Sequence, residues 1–190
     1  MTRDLARVSA LAPMFGRAFV TEPMMCWPMG TSGDVVARFA GCFASFLEVA
    51  LPLGVIWEAG QADGVAVWVS PEQREAWKVH PWDQPQILAA AEDGGRRYEA
   101  FWEWVASHDP VEPLWQLDTI AVEPDRQGRG IGRALIEAGL ARVRADGTGA
   151  FLSTGTRANV AIYGRCGFRV YDEADAPDGG PRVCFMRWDP

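Results

Sequence analysis

The sequence predicts an α/β domain in which a mixed sheet carries helices on both faces. Three observations lead there. The apolar run 114–122 is rich in Trp, Thr, Ile and Val, side chains suited to a half-buried pleated surface. It passes through Pro124 and a glycine-rich turn into a helical pattern that places Ile131, Leu135, Ile136 and Leu140 on one face. Further strand-like and helix-like runs alternate on both sides of it, and a chain of 190 residues is one domain by length, enough to bury a real core.

Composition narrows the class. Hydrophobic residues make 48% and charged ones 23%, as in an ordinary globular chain, while nine tryptophans suggest a core and a pocket rich in flat aromatic surface. A net charge of −7 argues against a nucleic-acid partner, which needs a basic face. The same charge suits a cationic or amine-bearing partner through steering, or serves solubility alone. Cys26, Cys42, Cys166 and Cys184 lack metal-type pairing and read as free thiols. The longest apolar run, 42–57, is interrupted by Glu48 and Pro52 and is too short to span a bilayer. With no signal peptide in view, a cytoplasmic location without membrane contact is the expectation. His80 and His108 have no ligand-spaced partners, so no metal is expected.

Taken in order, residues 4–19 read as a helix with Leu5, Val8, Leu11, Met14 or Phe15, and Ala18 on one side, strained by Pro13 and capped by Thr2. Residues 21–33 read as a loop holding the soft cluster Met24, Met25, Cys26, Trp27, Pro28 and Met29. Asp34 caps a helix to about Ala50, whose buried stripe is Val35 or Val36, Phe39, Phe43, Phe46 and Leu47. Strands at 54–58 and 64–70 follow, joined by Gln61, Ala62 and Asp63. Prolines 71, 81 and 85 and the Gly94-Gly95 pair interrupt the next stretch before a helix at about 96–107, which groups Tyr98, Phe101, Trp102 and Val105. Glu99, Glu103, His108, Asp109 and Glu112 lie in or just beyond that helix, as a solvated face or as acids near a substrate amine. Beside Pro110 and Pro113, His108 reads as a structural hydrogen-bonding residue rather than a base.

The turn Gln127, Gly128, Arg129, Gly130, Ile131, Gly132 has a chemistry of its own. The first N–H groups of a helix lack internal partners and sit at the positive end of the macrodipole. Glycines let the backbone wrap a phosphate closely, and Arg126, Arg129 and Arg133 add charge around it. A diphosphate is the natural ligand. The pattern is neither a Walker loop, which needs Lys followed by Ser or Thr, nor GxGxxG. Beyond it, residues 150–154 make a strand, Asn159 opens a helix, Gly167 ends it, and strands at 168–172 and 182–188 close the sheet around the loop 177–181. Asn159 and Tyr163, four apart, share one helical face.

The order Gln-x-x-Gly-x-Gly after Ile120, Ala121 and Val122 resembles the acetyl-CoA signature of the GCN5-related N-acetyltransferases (GNAT). A second block, from Asn159 through Tyr163 to Gly167 and Phe168, is similar to that family's later N-x-x-x-x-Y-x-x-x-G-F motif. The strand Val65 to Val69 with Ser70, Pro71 and Glu72, and the run from Ser107 to Pro113, look like those of puromycin N-acetyltransferase and its relatives. The resemblance implies a single-domain fold, 1–190, whose sheet splays between its two middle parallel strands, with an acetyl-CoA core at 114–168. A first strand usually precedes the N-terminal helix in this family, and within 1–33 there is no room for one, so either it is missing or the true start lies upstream. Acetyl-CoA is the implied cosubstrate, with its pantetheine arm in the gap against the backbone of Ile120, Ala121 and Val122. Its diphosphate would lie on Gln127, Gly128, Arg129, Gly130, Ile131 and Gly132, and Asn159 would bond the arm. The 21–33 loop would lie beside the acceptor pocket.

The same resemblance makes Tyr163 the acid for the departing thiolate, a role a phenol with pKa near 10 can fill; packing behind Gly167 and Phe168 is the alternative. An ammonium must also lose a proton before it attacks. Asp118, four residues before Val122, is a candidate base, and it shares a face with Ile120 and Val122 if the strand alternates without a bulge. Glu103 and a water chain are the other options. The function that follows is direct transfer of acetyl to a primary amine of a small molecule, such as an antibiotic or amino-nucleoside. A protein or peptide acceptor, and a non-catalytic acyl-CoA-binding regulatory module, are the alternatives. A homodimer through the C-terminal strands is a further expectation.

Overall fold

The computed structural model describes residues 5–53, 55–77 and 84–190; Thr2, His80 and Pro81 fall outside them. The sheet has six strands: β1 (Ile56–Ala59), β2 (Gly64–Val69), β3 (Trp115–Val122), β4 (Ala150–Thr154), β5 (Arg169–Asp175) and β6 (Arg182–Trp188). Their spatial order is β1-β2-β3-β4-β6-β5, and only the β3–β4 pair is parallel. Eight helices surround it among the described residues: α1 (Leu5–Ala18), α2 (Pro23–Met29), α3 (Val35–Ala50), α4 (Pro71–Trp77), α5 (Pro85–Ala90), α6 (Arg96–Ala106), α7 (Ile131–Ala145) and α8 (Arg157–Arg165). No strand precedes α1 among them.

The apolar faces explain the layering. Val65, Val67 and Val69 of β2 pack with Leu11, Met14 and Phe15 of α1 and Phe39, Phe43 and Phe46 of α3. The alternate residues Ala66 and Trp68 pack on the other face with Leu135, Ile136, Leu140 and Val143 of α7. All six residues of β2 are therefore buried, as expected of a strand covered on both sides. Val35–Leu53, which is α3 with the short turn after it, is long and apolar enough to cross a bilayer, but its Phe39, Phe43, Phe46 and Leu47 are fully enclosed by this core. Its start is capped as the sequence indicates: Asp34 Oδ1 accepts from the Ala37 N–H at 3.0 Å.

Three close approaches fix the helices that shape the site. At Gly16 a Cβ would lie 2.6 Å from the Val36 carbonyl oxygen, so α1 meets α3 at a glycine. At Gly139 it would lie 2.1 Å from Trp68 Cε2, and at Gly64 2.7 Å from Ile131 Cγ2. α7 thus lies flat on β2, with its first turn against the start of that strand.

One expectation is corrected, and one stretch the sequence leaves undetermined is filled in. The stretch 21–33 is not wholly a loop, because Pro23–Met29 forms α2. Pro23 sits at the first turn, where a missing N–H costs nothing, and Met24, Met25 and Met29 are buried. The interrupted stretch after β2 also contains helices α4 and α5, each beginning at a proline.

Candidate functional site

β3 and β4 pair only at Trp115 with Ala150 and Gln116 with Phe151. Beyond those pairs the strands part, so the edge of β3 from Leu117 to Val122 faces β4 without a ladder. The opening leads into a cleft of about 1330 Å³ that runs from the glycine turn to the α1–α2 junction and α6. This is the expected splay.

At the cofactor end, Gly128 and Gly130 have φ of 74° and 83°, in the left-handed region that favours glycine. Nothing lies within 4 Å of where a Cβ would stand on either, so side chains there would fill an otherwise open cradle. The first bond within α7 runs from the Ala134 N–H to the Gly130 carbonyl at 2.9 Å, which leaves the N–H groups of Ile131, Gly132 and Arg133 without intrahelical partners. Gln127 Nε2 donates to the Val122 carbonyl at 3.2 Å and ties the turn to the end of β3. Such a cradle fits a diphosphate, and the unladdered strand edge fits an amide-bearing arm. Ile120, Ala121, Val122, Gln127, Gly128, Gly130, Ile131, Gly132, Asn159 and Tyr163 all line the cleft. Arg129 does not; it turns outward and donates to the Asp125 carbonyl at 3.2 Å.

α8 begins where Thr156 Oγ1 accepts from the Asn159 N–H at 3.2 Å, so Asn159 lies in its first turn and Tyr163 one turn on. Tyr163 is buried at the cleft wall, in edge contact with Phe168. Among the described residues its hydroxyl has no hydrogen-bond partner. Burial, followed by the charges of Glu22 and Cys166, pushes the phenol well above the ordinary tyrosine range, so it stays protonated.

Asp118 is brought to the cleft, but not on the predicted face. β2 and β3 slip register between Val67–Thr119 and Trp68–Leu117, which leaves Asp118 as the extra residue of a bulge. The facing flips there: Leu117 and Ile120 pack on the α7 side, whereas Ala121, with Leu117's parity, packs on the α1–α3 side. Asp118 therefore lies on the face opposite Ile120 and Val122, where its Oδ2 accepts from Thr119 Oγ1 at 2.8 Å. Asp109 lies close by, bound to Arg74 Nη2 at 3.0 Å. Its carboxyl is pushed up to about 6 by burial, with Arg74 opposing and the Asp118 charge adding to the rise. Glu103 lines the same end. His108 is off the cleft wall, stacked on Phe185 at 4.5 Å with its Nδ1 2.9 Å from the Trp104 carbonyl.

The residue that sequence reasoning missed is Glu22. It occupies the N-cap of α2 without capping it, and its carboxyl turns to the cleft wall instead. Oε1 is buried and has no hydrogen-bond partner. Burial raises its pKa, and the N–H groups of Met24 and Gly155 offset this only in part. Phe19, Met24, Phe43, Tyr98 and Trp102 supply apolar and aromatic wall on the same side. The one signal in the sequence was position: Glu22 directly precedes Pro23 and the methionine-rich run. Among the described residues, no group of three or more His, Cys, Asp or Glu side chains is placed to hold a metal.

Comparison with known proteins agrees with this geometry. Residues 84–170 match the family model described as an acetyltransferase (GNAT) domain. The mycothiol acetyltransferase of Nocardiopsis dassonvillei is 33% identical over 125 residues, 58% of this chain and 36% of the relative. The match thus spans about a third of that relative's length. The solved structure described as histone acetyltransferase HPA2 and related acetyltransferase from Corynebacterium glutamicum superposes with a TM-score of 0.71 at 21% identity, over 100% of this chain and 93% of that one. A polyamine N acetyltransferase from Drosophila melanogaster superposes at 0.59 and 15% identity, over 98% and 97%. At such identities the two structures establish the fold, which is the GNAT acetyltransferase fold. The curated relative is of the mycothiol acetyltransferase type rather than the puromycin type.

Proposed function

We propose that this chain, whose residues 84–170 match a GNAT acetyltransferase domain, moves acetyl from acetyl-CoA directly to the primary amine of a small molecule. The observation that carries the reading is the parting of β3 from β4 after Gln116 and Phe151, between the open glycine cradle and two buried proton-handling groups. Acetyl-CoA supplies an activated acyl group and a diphosphate handle. The backbone of Gly128 to Arg133 holds the handle, with Asn159 and the free edge of β3 orienting the arm.

Glu22 then takes the base role for which Asp118, Glu103 and a water chain were the candidates. Its carboxyl is a buried acid in the same cleft wall as Tyr163, close enough for its charge to act on the phenol, and an ammonium would be a good partner for it. As the base, it takes a proton from the acceptor ammonium so that the nitrogen lone pair can attack. Tyr163, held protonated, gives its proton to the departing sulfur. Asp109, Asp118, Glu99 and Glu103 keep the acceptor end anionic around the Arg74 cation, which favours a cationic acceptor by steering. Because α2 packs against α6 at that end, the cleft suits a small amine better than a polypeptide. Polyamines, which a structural neighbour acts on by its name, aminoglycosides, amino-nucleosides such as puromycin, and the mycothiol series named by the curated relative are the acceptor classes to try.

The test is thiol release from acetyl-CoA by purified protein against such a panel. Acceptor-dependent release that falls in Tyr163→Phe and Glu22→Gln supports the reading. Tight coenzyme A binding with no release across the panel would favour a non-catalytic acyl-CoA module. No coenzyme A binding would end it.

A further inference from the structure

We propose that Arg17 and Glu123 form a positioning link through which the glycine turn holds the segment carrying Glu22, so that coenzyme A binding orders the acceptor side of the cleft. The proposal rests on the acetyl-CoA reading above.

Arg17 stands at the end of α1 and Glu123 at the end of β3, four residues before Gln127. The contact is two-pronged: Arg17 Nε donates to Glu123 Oε1 at 2.8 Å, and Nη2 to Oε2 at 2.6 Å. Glu123 is itself fixed by backbone bonds on both sides. Its N–H donates to the Asp63 carbonyl at 3.0 Å, and its carbonyl accepts from the Arg126 N–H at 2.8 Å. Whatever moves the glycine turn therefore moves the Glu123 carboxylate.

On the other side, the Arg17 backbone continues within five residues through Phe19 and Thr21 to Glu22, all three at the cleft wall. Bonds and packing tie this segment to the end of α1. Phe19 and Glu22 donate to the Phe15 and Phe19 carbonyls at 3.0 Å each, Phe19 packs on Phe43 at 4.9 Å, and Gly16 sets α1 directly on α3. A pull at Arg17 is transmitted to Glu22 rather than absorbed. The pair is also poorly placed to serve stability: Arg17 is 46% exposed and Glu123 21%, and exposed ion pairs contribute little.

Positioning and simple charge make opposite predictions. Glu123 is an anion near a diphosphate site, and its pairing with Arg17 holds its carboxyl below the usual range. If charge alone mattered, Glu123→Ala would remove a repulsion and free Arg17, so coenzyme A would bind more tightly. If the link positions, Arg17→Ala and Glu123→Ala both weaken binding, and the exchange Arg17→Glu with Glu123→Arg restores it.

Calorimetric titration with coenzyme A, thermal melting and amide hydrogen exchange test this on the full chain. Each single variant should raise the coenzyme A dissociation constant by about tenfold, within the usual range for linked sites. Its melting temperature should move by no more than about 3 °C. In the wild-type protein, coenzyme A should slow exchange at the amides of Glu22, Met25 and Cys26; in Arg17→Ala it should not. Unchanged affinity in Arg17→Ala, tighter binding in Glu123→Ala, or a charge exchange that fails to restore affinity would each overturn the link. If the wild-type protein itself does not bind coenzyme A, the functional reading fails along with the link. If it binds and Arg17→Ala binds equally well, the link alone fails.

Discussion

Glu22→Gln should make the protein more stable and slower at the same time. The carboxyl is buried at the cleft wall, Oε1 has no partner, and burial raises its pKa above the ordinary value. A carboxyl with a folded pKa above its unfolded pKa binds more protons folded than unfolded between the two values. Stability therefore falls as pH rises through that window, and at neutral pH the charged form carries a penalty. An amide of the same shape removes the charge and keeps an acceptor for the Met24 and Gly155 N–H groups. The gain should be about 1 kcal/mol, the low end of the ~1–3 kcal/mol cost of leaving a buried polar group unsatisfied. For a chain of this size that is roughly 2–4 °C in melting temperature. The gain should be present at pH 7–8 and vanish near pH 4, where both forms are neutral. Acetyl transfer, by contrast, should drop by about 10²-fold or more if Glu22 is the base. Melts of both proteins from pH 4 to pH 8, with turnover at pH 8, make the check. A Gln variant that is less stable at pH 8 and equally active would refute the reasoning, because Glu22 would then be a structural acceptor.

Three other perturbations probe the same site. Tyr163→Phe should cut transfer by about 10²-fold with little change in coenzyme A affinity, measured by single turnover and titration, because it removes a proton donor and leaves the ring packed on Phe168. Gly130→Val should weaken coenzyme A binding by more than about tenfold, since it fills the cradle and forces a β-branched residue to φ near 83°; unchanged affinity would remove the diphosphate from this turn. Gly139→Ala should destabilise by ~1–3 kcal/mol, seen as a fall of several degrees on melting, because its Cβ would stand 2.1 Å from Trp68 Cε2 in a site with no spare room.

What could be read from the chain was what local chemistry determines. Gly128, Gly130 and Gly132 sit between a β-rich run and a helical stripe, and turn geometry follows from neighbours in sequence. Asn159 and Tyr163 meet through helical periodicity alone. α2 was missed because a seven-residue helix with prolines at both ends has no periodic stripe to show; its stability comes from Met24, Met25 and Met29 packing into the core. Glu22 and the Arg74–Asp109 pair were out of reach for a different reason. Arg74 and Asp109 are 35 residues apart, and nothing local brings them together. Glu22 gains its character from burial in a fold that brings Gly155 against its carboxyl and lets its charge reach Tyr163.

Asp118 shows how one unseen residue of register changes an assignment. A strand read by alternation puts Asp118 with Ile120 and Val122, and a base on that face would stand beside the arm. The bulge inserts one position opposite the Val67–Trp68 step, so every side chain before it faces the opposite way from that simple reading. The same insertion adds local twist to β3 just past Gln116, where its ladder to β4 ends. Asp118 still lines the cleft, but on the other face, where its carboxylate accepts from Thr119 Oγ1 at the bulge. On the proposed reading the base comes from elsewhere in the fold: Glu22, held at the cleft wall by the turn from α1 into α2.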